Sequence, residues 1–438
     1  MLNKGTATQR KPHSLRSYIA GLESLSCAVP PAPTFQMQKN WRTPVLVLIC
    51  GGLIMSLGMG VRHGFGLFLQ PMTLDHGWGR ETFAFALAMQ NLLWGVTQPL
   101  TGLIADRYGA GKVLITGTVL YVLGLIGMAL STTGTGFVLS AGFLIGIGLS
   151  GTTFSIVYGV LGRITPPEKR SMALGIAGAA GSFGQFALLP VSQSLISGFG
   201  WLEALLILAA VAALMAPLSI VLAEPHRDLA AGRHQQSAWE AIREAFGHKG
   251  FNLLTLGYFV CGFQVVFIGV HLPAYLTDQG LSANVGVTCL ALIGLFNIFG
   301  TFTAGWLGQR HSKKHLLAAI YITRSVVIVT FLAVPLTPTS AYVFAMAIGF
   351  LWLATVPLTN GIVAQVFGVA YLSMLGGFVF LSHQLGSFLG AWLGGVLFDR
   401  TGSYDIVWTI IILLGVVAMA LNLPIDQRPL ARLQGKPA

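Results

Sequence analysis

Charge is what this sequence has least of. Asp, Glu, Lys and Arg make up 9% of its 438 residues, against about 25% in a soluble globular domain. Cysteines number only four. Cys27, Cys50, Cys261 and Cys289 have neither zinc-site nor CxxC spacing, so free thiols without a disulfide framework are expected. No Asn-x-Ser/Thr sequon occurs, which favours a prokaryotic source. A Walker motif is also missing, which excludes direct ATP drive. The apolar runs hold no acid in their middle. Without a buried carboxylate pair or a nucleophile–base arrangement, enzymatic chemistry is not expected, and no cofactor or metal site is indicated.

What is present in excess is hydrophobic length. Of all residues, 54% are hydrophobic, and runs longer than 18 apolar residues recur along the chain, as membrane spans do. Backbone polar groups in lipid must bond within their own segment, and the alternation of a membrane β-barrel is missing, so the spans are helices. Twelve are expected, near 44–69, 82–105, 112–131, 136–162, 171–197, 201–222, 251–276, 284–308, 315–335, 340–366, 370–398 and 405–423. The polar stretch 223–250, part helical, divides them six and six.

The organisation this implies is a disordered N-terminal tail over 1–40, a six-helix bundle over 41–222, a central loop over 223–250, a second bundle over 251–424 and a C-terminal tail over 425–438. Met37 is a second candidate start. The net charge of +11 is not a nucleic-acid footprint. Arg80 and Arg400 fall in one set of loops, Arg62 and Arg324 within spans, and the other 21 of 25 Lys and Arg in the tails and alternate loops. That is the positive-inside bias, and it puts both termini of a multi-pass inner-membrane protein in the cytoplasm; a monomer is expected.

The two halves repeat. Gly102-Leu-Ile-Ala-Asp-Arg-Tyr-Gly109 after the second span returns as Gly305-Trp-Leu-Gly-Gln-Arg310 after the eighth, 203 residues later. Two copies of a six-helix unit place a binding site at their interface.

The first copy resembles the signature loop of the major facilitator superfamily. That resemblance implies an all-α membrane protein of twelve transmembrane helices in two pseudo-symmetric six-helix bundles that rock about a central cavity. It also implies a conformational latch at Asp106, Arg107 and Lys112. Ala110 and Gly111 stand where bases are usual, and Gln309 replaces the acid in the second copy. Within the superfamily, Arg62-His-Gly-Phe-Gly-Leu-Phe-Leu69 and Gly394-Gly-Val-Leu-Phe-Asp-Arg-Thr-Gly402 resemble the monocarboxylate-transporter and oxalate/formate-antiporter branch. In span 8, where monocarboxylate carriers hold an acid–base pair, this chain has Asn297 and Thr301. The arginine of drug exporters is missing from Leu144-Ile-Gly-Ile-Gly148 in span 4.

A charge within a span is costly and is seldom placed there without a partner or a task. Arg62 and Arg324 have no acid in any span to pair with, so the missing counter-charge is the substrate. A guanidinium fork matches two carboxylate oxygens, which points to a small organic anion. Arg62 is therefore the anion handle, the alternative being outward snorkelling. Arg324 either joins the site or bonds carbonyls of a neighbouring helix. His383 either carries a proton or donates one interhelical bond. The other candidate binding residues are the polar insertions Asn91, Tyr158, Gln185, Gln264, Asn297, Asn360 and Gln384. Gln90, Trp94 and Gln98 form a polar stripe on span 2, suited to a wet cavity or to interhelical bonding. The function expected is secondary transport of a monocarboxylate or related anion across the cytoplasmic membrane, as symporter or antiporter, with protons or a counter-anion as the coupled species. Efflux of lipophilic compounds and solute sensing are the alternatives.

Overall fold

The computed structural model describes residues 42–78, 80–224 and 236–434. The expected tail 1–40, Met37 and residues 225–235 of the central loop lie outside the described residues.

The first bundle runs α1 (Pro44–His63, continued by a 3-10 turn Gly64–Phe68 and a short helix Leu69–His76), α2 (Arg80–Tyr108), α3 (Ala110–Leu130), α4 (Gly134–Ile164), α5 (Pro167–Phe199) and α6 (Trp201–Val221). The second runs α7 (Lys249–Asp278), α8 (Ala283–Arg310), α9 (Lys313–Ala333), α10 (Pro338–Phe367), α11 (Leu372–Thr401) and α12 (Asp405–Asn422). A surface helix, Ala238–Gly247, precedes α7. Among the described residues 11 helices are long and apolar enough to span a membrane. The twelfth, α2, is more polar because it faces the protein interior with Gln90, Asn91, Trp94 and Gln98.

Local chemistry sets the helix starts. Thr43 caps α1, accepting from the Leu46 N–H at 3.2 Å, and Pro44 takes the first turn, where its missing N–H costs nothing. Ser237 and Glu240 form a capping box on the surface helix, at 3.2 and 2.6 Å. Hydrogen bonding from Ser237, its backbone N–H first and then its side chain, holds the Glu240 carboxyl below its usual range.

The halves meet along two seams that the internal repeat relates. At one, Gly102 and Gly377 bring α2 against α11. A Cβ on Gly377 would lie 2.8 Å from the Gln98 carbonyl oxygen. At the other, Gly175 and Gly305 bring α5 against α8, and a Cβ on Gly175 would lie 2.6 Å from the Gly305 Cα. Only glycine permits backbones this close. The seams are tight at the end of the molecule that carries Asp106. There α5 is mostly buried from Ser171 to Gln185, and beyond Gln185 it is largely exposed.

Two helices are interrupted midway. α4 breaks at Thr153, whose backbone is extended (φ −115°, ψ −160°), after a π-helical stretch Val138–Leu144. α10 breaks between Leu351 and Thr355. Pro357 sits in the first turn after that break and has no N–H to return to the Leu353 carbonyl. Each break frees carbonyls inside a span, and each must find donors elsewhere.

Candidate functional site

Arg62 lies in the last regular turn of α1, just before the chain tightens into the 3-10 turn. Its guanidinium turns inward, not to the surface. Nη2 donates to Asn91 Oδ1 on α2, and the group lies 4.9 Å over the Trp94 ring. Nε is buried with no partner. Among the described residues no carboxylate lies within ion-pair distance of it. His63, next along the chain, is exposed on the other side of the helix.

Asn91 is the junction between the halves. Its side-chain amide donates to the Leu87 carbonyl at 3.0 Å, and its backbone carbonyl accepts from Gln384 Nε2 on α11 at 3.1 Å. Gln384 Oε1 then faces His383 Nδ1 at 3.2 Å. Trp94 reaches the same place through its ring, 4.8 Å from Phe380, and Phe380 stacks on His383 at 5.6 Å. Arg62, Asn91, Gln384 and His383 thus form one continuous contact from α1 to α11. His383 Nδ1 faces Gln384 and Ser387 of its own helix, and from α7 Cys261 forms a side-chain hydrogen bond with the ring.

Tyr158 is buried on α4 with its hydroxyl unpartnered, directed at the α5–α8 seam, where a Cβ on Gly178 would lie 2.6 Å from it. Gln185 is buried on α5.

The remaining candidates are engaged elsewhere. Arg324 is buried on α9 and serves the break in α10. It donates from Nη2 to the Leu351 and Trp352 carbonyls at 2.6 and 2.5 Å, and from Nε to Leu351 at 3.2 Å. Its Nη1 faces Gln264 Oε1 at 3.3 Å and Cys261 Sγ at 3.4 Å. Of the two alternatives for Arg324, the carbonyl-bonded one describes what is seen. Gln264 is held between Arg324 and the Ile411 carbonyl (2.9 Å). Asn297 bonds Ser182 across the α5–α8 seam at 2.9 Å and accepts from Thr301 and from the Leu353 N–H, so it too steadies α10. Asn360 donates within its own helix to Val356 at 3.0 Å. On α2 the polar stripe is directed at α4. Gln90 and Gln98 donate to the carbonyls of Ala141 (2.7 Å) and Ser150 (2.8 Å), and Trp94 donates to Thr153 at 3.0 Å.

Gly109, at φ +96°, ends α2, so Asp106 and Arg107 occupy its last turn and not a loop. Asp106 pairs with Arg163 at 2.6 Å and accepts from the backbone N–H groups of Ser373 (3.3 Å) and Met374 (2.8 Å) in the first turn of α11. A carboxylate at a helix N-terminus is favoured by the helix dipole. Arg163 also pairs with Glu224 at 2.6 Å. Arg107 instead lies 5.3 Å over Tyr108, and Lys112 is exposed. Sequence reading missed Arg163 and Glu224. The available signal was a base at the very end of span 4 and a single acid at the end of span 6.

The sequence pattern that defines the Major Facilitator Superfamily matches residues 48–391. Among curated proteins the chain is similar to monocarboxylate transporter 13 of Rattus norvegicus, 27% identical over 366 residues, covering 80% of this chain and 81% of that one. It is also similar to the uncharacterized MFS-type transporter YcxA of Bacillus subtilis, 24% identical, covering 85% and 93%. Among solved structures it resembles the E. coli fucose:proton symporter FucP, with TM-score 0.68 at 17% identity over 87% of this chain and 98% of that one. The proton:xylose symporter XylE gives TM-score 0.71 at 14% identity, covering 90% and 98%.

Proposed function

The chain belongs to the Major Facilitator Superfamily of membrane transporters, and from that premise we propose that it carries a small monocarboxylate across the cytoplasmic membrane by alternating access. One observation carries the reading. Arg62 is turned into the first bundle, with a neutral hydrogen-bond partner that itself bonds the second half, an aromatic face, an unpartnered Nε and no carboxylate within ion-pair distance among the described residues. A guanidinium in that setting is completed by an anion from outside, and its planar fork suits a carboxylate.

The same comparison supports one carboxylate over two. Arg324 is engaged by the carbonyls of α10 and, through Nη1, by Gln264 and Cys261, which leaves it no donor for a second anionic group. Relatives named as monocarboxylate transporters agree with this choice. Asn91 and Gln384 complete the anion site from either half. His383 adjoins it, and Tyr158 and Gln185 line the approach along the α5–α8 seam.

Asp106, with Arg163 and Glu224, is the latch on the cytoplasmic side, and Arg107 and Lys112 contribute little to it. With that end closed, the site opens to the other face. The tails 1–40 and 425–438 and the loop 223–250 then lie in the cytoplasm of a monomeric carrier.

Proteoliposomes test the reading. Labelled formate, lactate, pyruvate and benzoate are offered with oxalate and succinate as comparators. Saturable counterflow of at least one monocarboxylate, poorly competed by the two diacids, is expected. Preference for the diacids would contradict it.

A further inference from the structure

The outer wall of the second bundle carries an open groove. Two cavities make it up, of about 180 and about 600 Å³, and Thr323, Phe350 and Leu351 line both. Three helices supply the lining, with Gly300 and Leu307 on α8, Leu316 and Thr323 on α9, and Phe350 and Leu351 on α10. Its only polar side chains are those of Thr303 and Thr323. The floor is closed because α8 touches α10 at Gly300, where a Cβ would run into the Phe350 carbonyl. From Leu316 to Val327 the groove runs about 16 Å along α9, at about 1.5 Å per residue. That is close to one leaflet of a hydrocarbon core about 30 Å thick. The ridges beside it, Phe302 of α8 and Val326 of α9, are exposed and apolar, so this wall meets lipid tails.

The mouth of the groove is basic. Just past Leu307 and just before Leu316, the connection Arg310-His-Ser-Lys-Lys-His315 holds three bases and no acid. The Arg310 guanidinium lies 4.4 Å over the ring of Trp306, which is itself exposed. Tryptophan at this level marks the membrane interface. Among the described residues Arg310 has no carboxylate within ion-pair distance. Lys313 is turned inward to Gln365 at 2.9 Å. Asp426, the acid that senses Lys314, is paired with Arg428 at 2.8 Å.

We propose that this groove binds an anionic phospholipid, with one acyl chain laid along α9 and the phosphate on Arg310 beside Trp306. The apolar length takes the chain, and the unpaired guanidinium at its mouth takes the charge. The site has a structural task. Leu351 lines the groove and also offers the carbonyl to which Arg324 donates twice, at 3.2 and 2.6 Å. Arg324 therefore holds the break in α10 from the inner side, and the acyl chain covers the same break from the lipid side. A chain in place keeps water from the Leu351 and Trp352 carbonyls, where it would compete with the guanidinium. Bound lipid thus stabilises the second bundle at its weakest helix, whatever solute the carrier moves.

The test uses full-length protein, delipidated in detergent, with three probes: dioleoyl phosphatidylglycerol, dioleoyl phosphatidylcholine and dihexanoyl phosphatidylglycerol. Native mass spectrometry counts retained lipid, and melting curves read stabilisation. Wild type should retain the long-chain phosphatidylglycerol and melt higher with it, at about fivefold lower concentration than with phosphatidylcholine, as one basic residue at an anionic surface provides. The short-chain probe should do neither, which separates a lipid from a headgroup alone. Thr323→Trp fills the groove from an exposed position. It should retain one lipid fewer and lose the lipid-dependent rise, while melting no lower than wild type without lipid. Ala319→Trp, one turn away on the same lining, gives the same reading should Thr323→Trp fail to fold. Arg310→Gln should keep the chain and lose the preference between headgroups. Wild-type retention and stabilisation in both groove-filling variants, or a short-chain probe as effective as the long-chain one, overturns the proposal. So does a wild type that gains nothing from phosphatidylglycerol, or a preference for it that survives Arg310→Gln.

Discussion

Arg324 donates to the Leu351 carbonyl twice, from Nε at 3.2 Å and from Nη2 at 2.6 Å, and so closes the gap where α10 unwinds. Arg62, the other arginine within a span, closes no such gap. The two carry the same charge at similar expense and are used in opposite ways. One is spent on the fold, and the other is held in reserve.

That division predicts different failures. Arg324→Ala leaves the Leu351 and Trp352 carbonyls unsatisfied in a water-poor interior, at about 1–3 kcal/mol for each group. The purified variant should melt at clearly lower temperature and express poorly. Arg324→Lys should recover part of the loss, because an ammonium still supplies three donors but not the fork. Wild-type melting in Arg324→Ala would show that α10 does not depend on this side chain.

Asn91 orients Arg62 and is itself neutral. Removing a hydrogen bond to a charged group costs about 1.5–3 kcal/mol. Asn91→Ala should therefore raise the apparent KM for the carried anion about tenfold or more, with the melting temperature nearly unchanged. An unchanged KM would mean that Arg62 is positioned by Trp94 alone.

The latch prediction separates residues that the signature motif groups together. Asp106→Ala breaks a buried pair with Arg163 and uncaps α11, so it should release the closed end. Spin labels on α2 and α11 near Gly102 and Ser373 should move apart, and transport should fall at least about tenfold. Arg107→Ala and Lys112→Ala should transport within about twofold of wild type, since surface charges contribute little. Equal losses at all three positions would refute this partition.

Closure at the seams depends on bare backbone. Gly175→Val places side-chain atoms against the Gly305 backbone, which cannot yield as a flexible side chain can. The variant should bind the anion from the open side and fail to carry it. The measurement is equilibrium binding alongside uptake, and retained uptake would show that the helices have room to shift.

Much of this was legible in the sequence, and the unread part has a common cause. Hydropathy locates spans, and the paired loop motifs reveal the repeat, because both depend on composition along one helix. The inward turn of Arg62 was legible, because a lone charge in an apolar run needs a partner. The role of Arg324 was not, because its partners exist only where α10 breaks, and the one hint was Pro357, several residues beyond. Arg163 and Glu224 lie 61 positions apart at the ends of two helices, a pairing that no local pattern encodes. Asn297 reads as a cavity residue by type, yet Ser182 and Leu353 claim its donors and acceptors.

The direct test of the central claim is counterflow of a labelled monocarboxylate by Arg62→Ala and Arg62→Lys, reconstituted at equal density after melting curves confirm that both are folded. Loss of counterflow in Arg62→Ala, with at most slight recovery in Arg62→Lys, is the predicted result. Wild-type counterflow in Arg62→Ala would contradict the account, because the anion would then be held by something other than the Arg62 guanidinium.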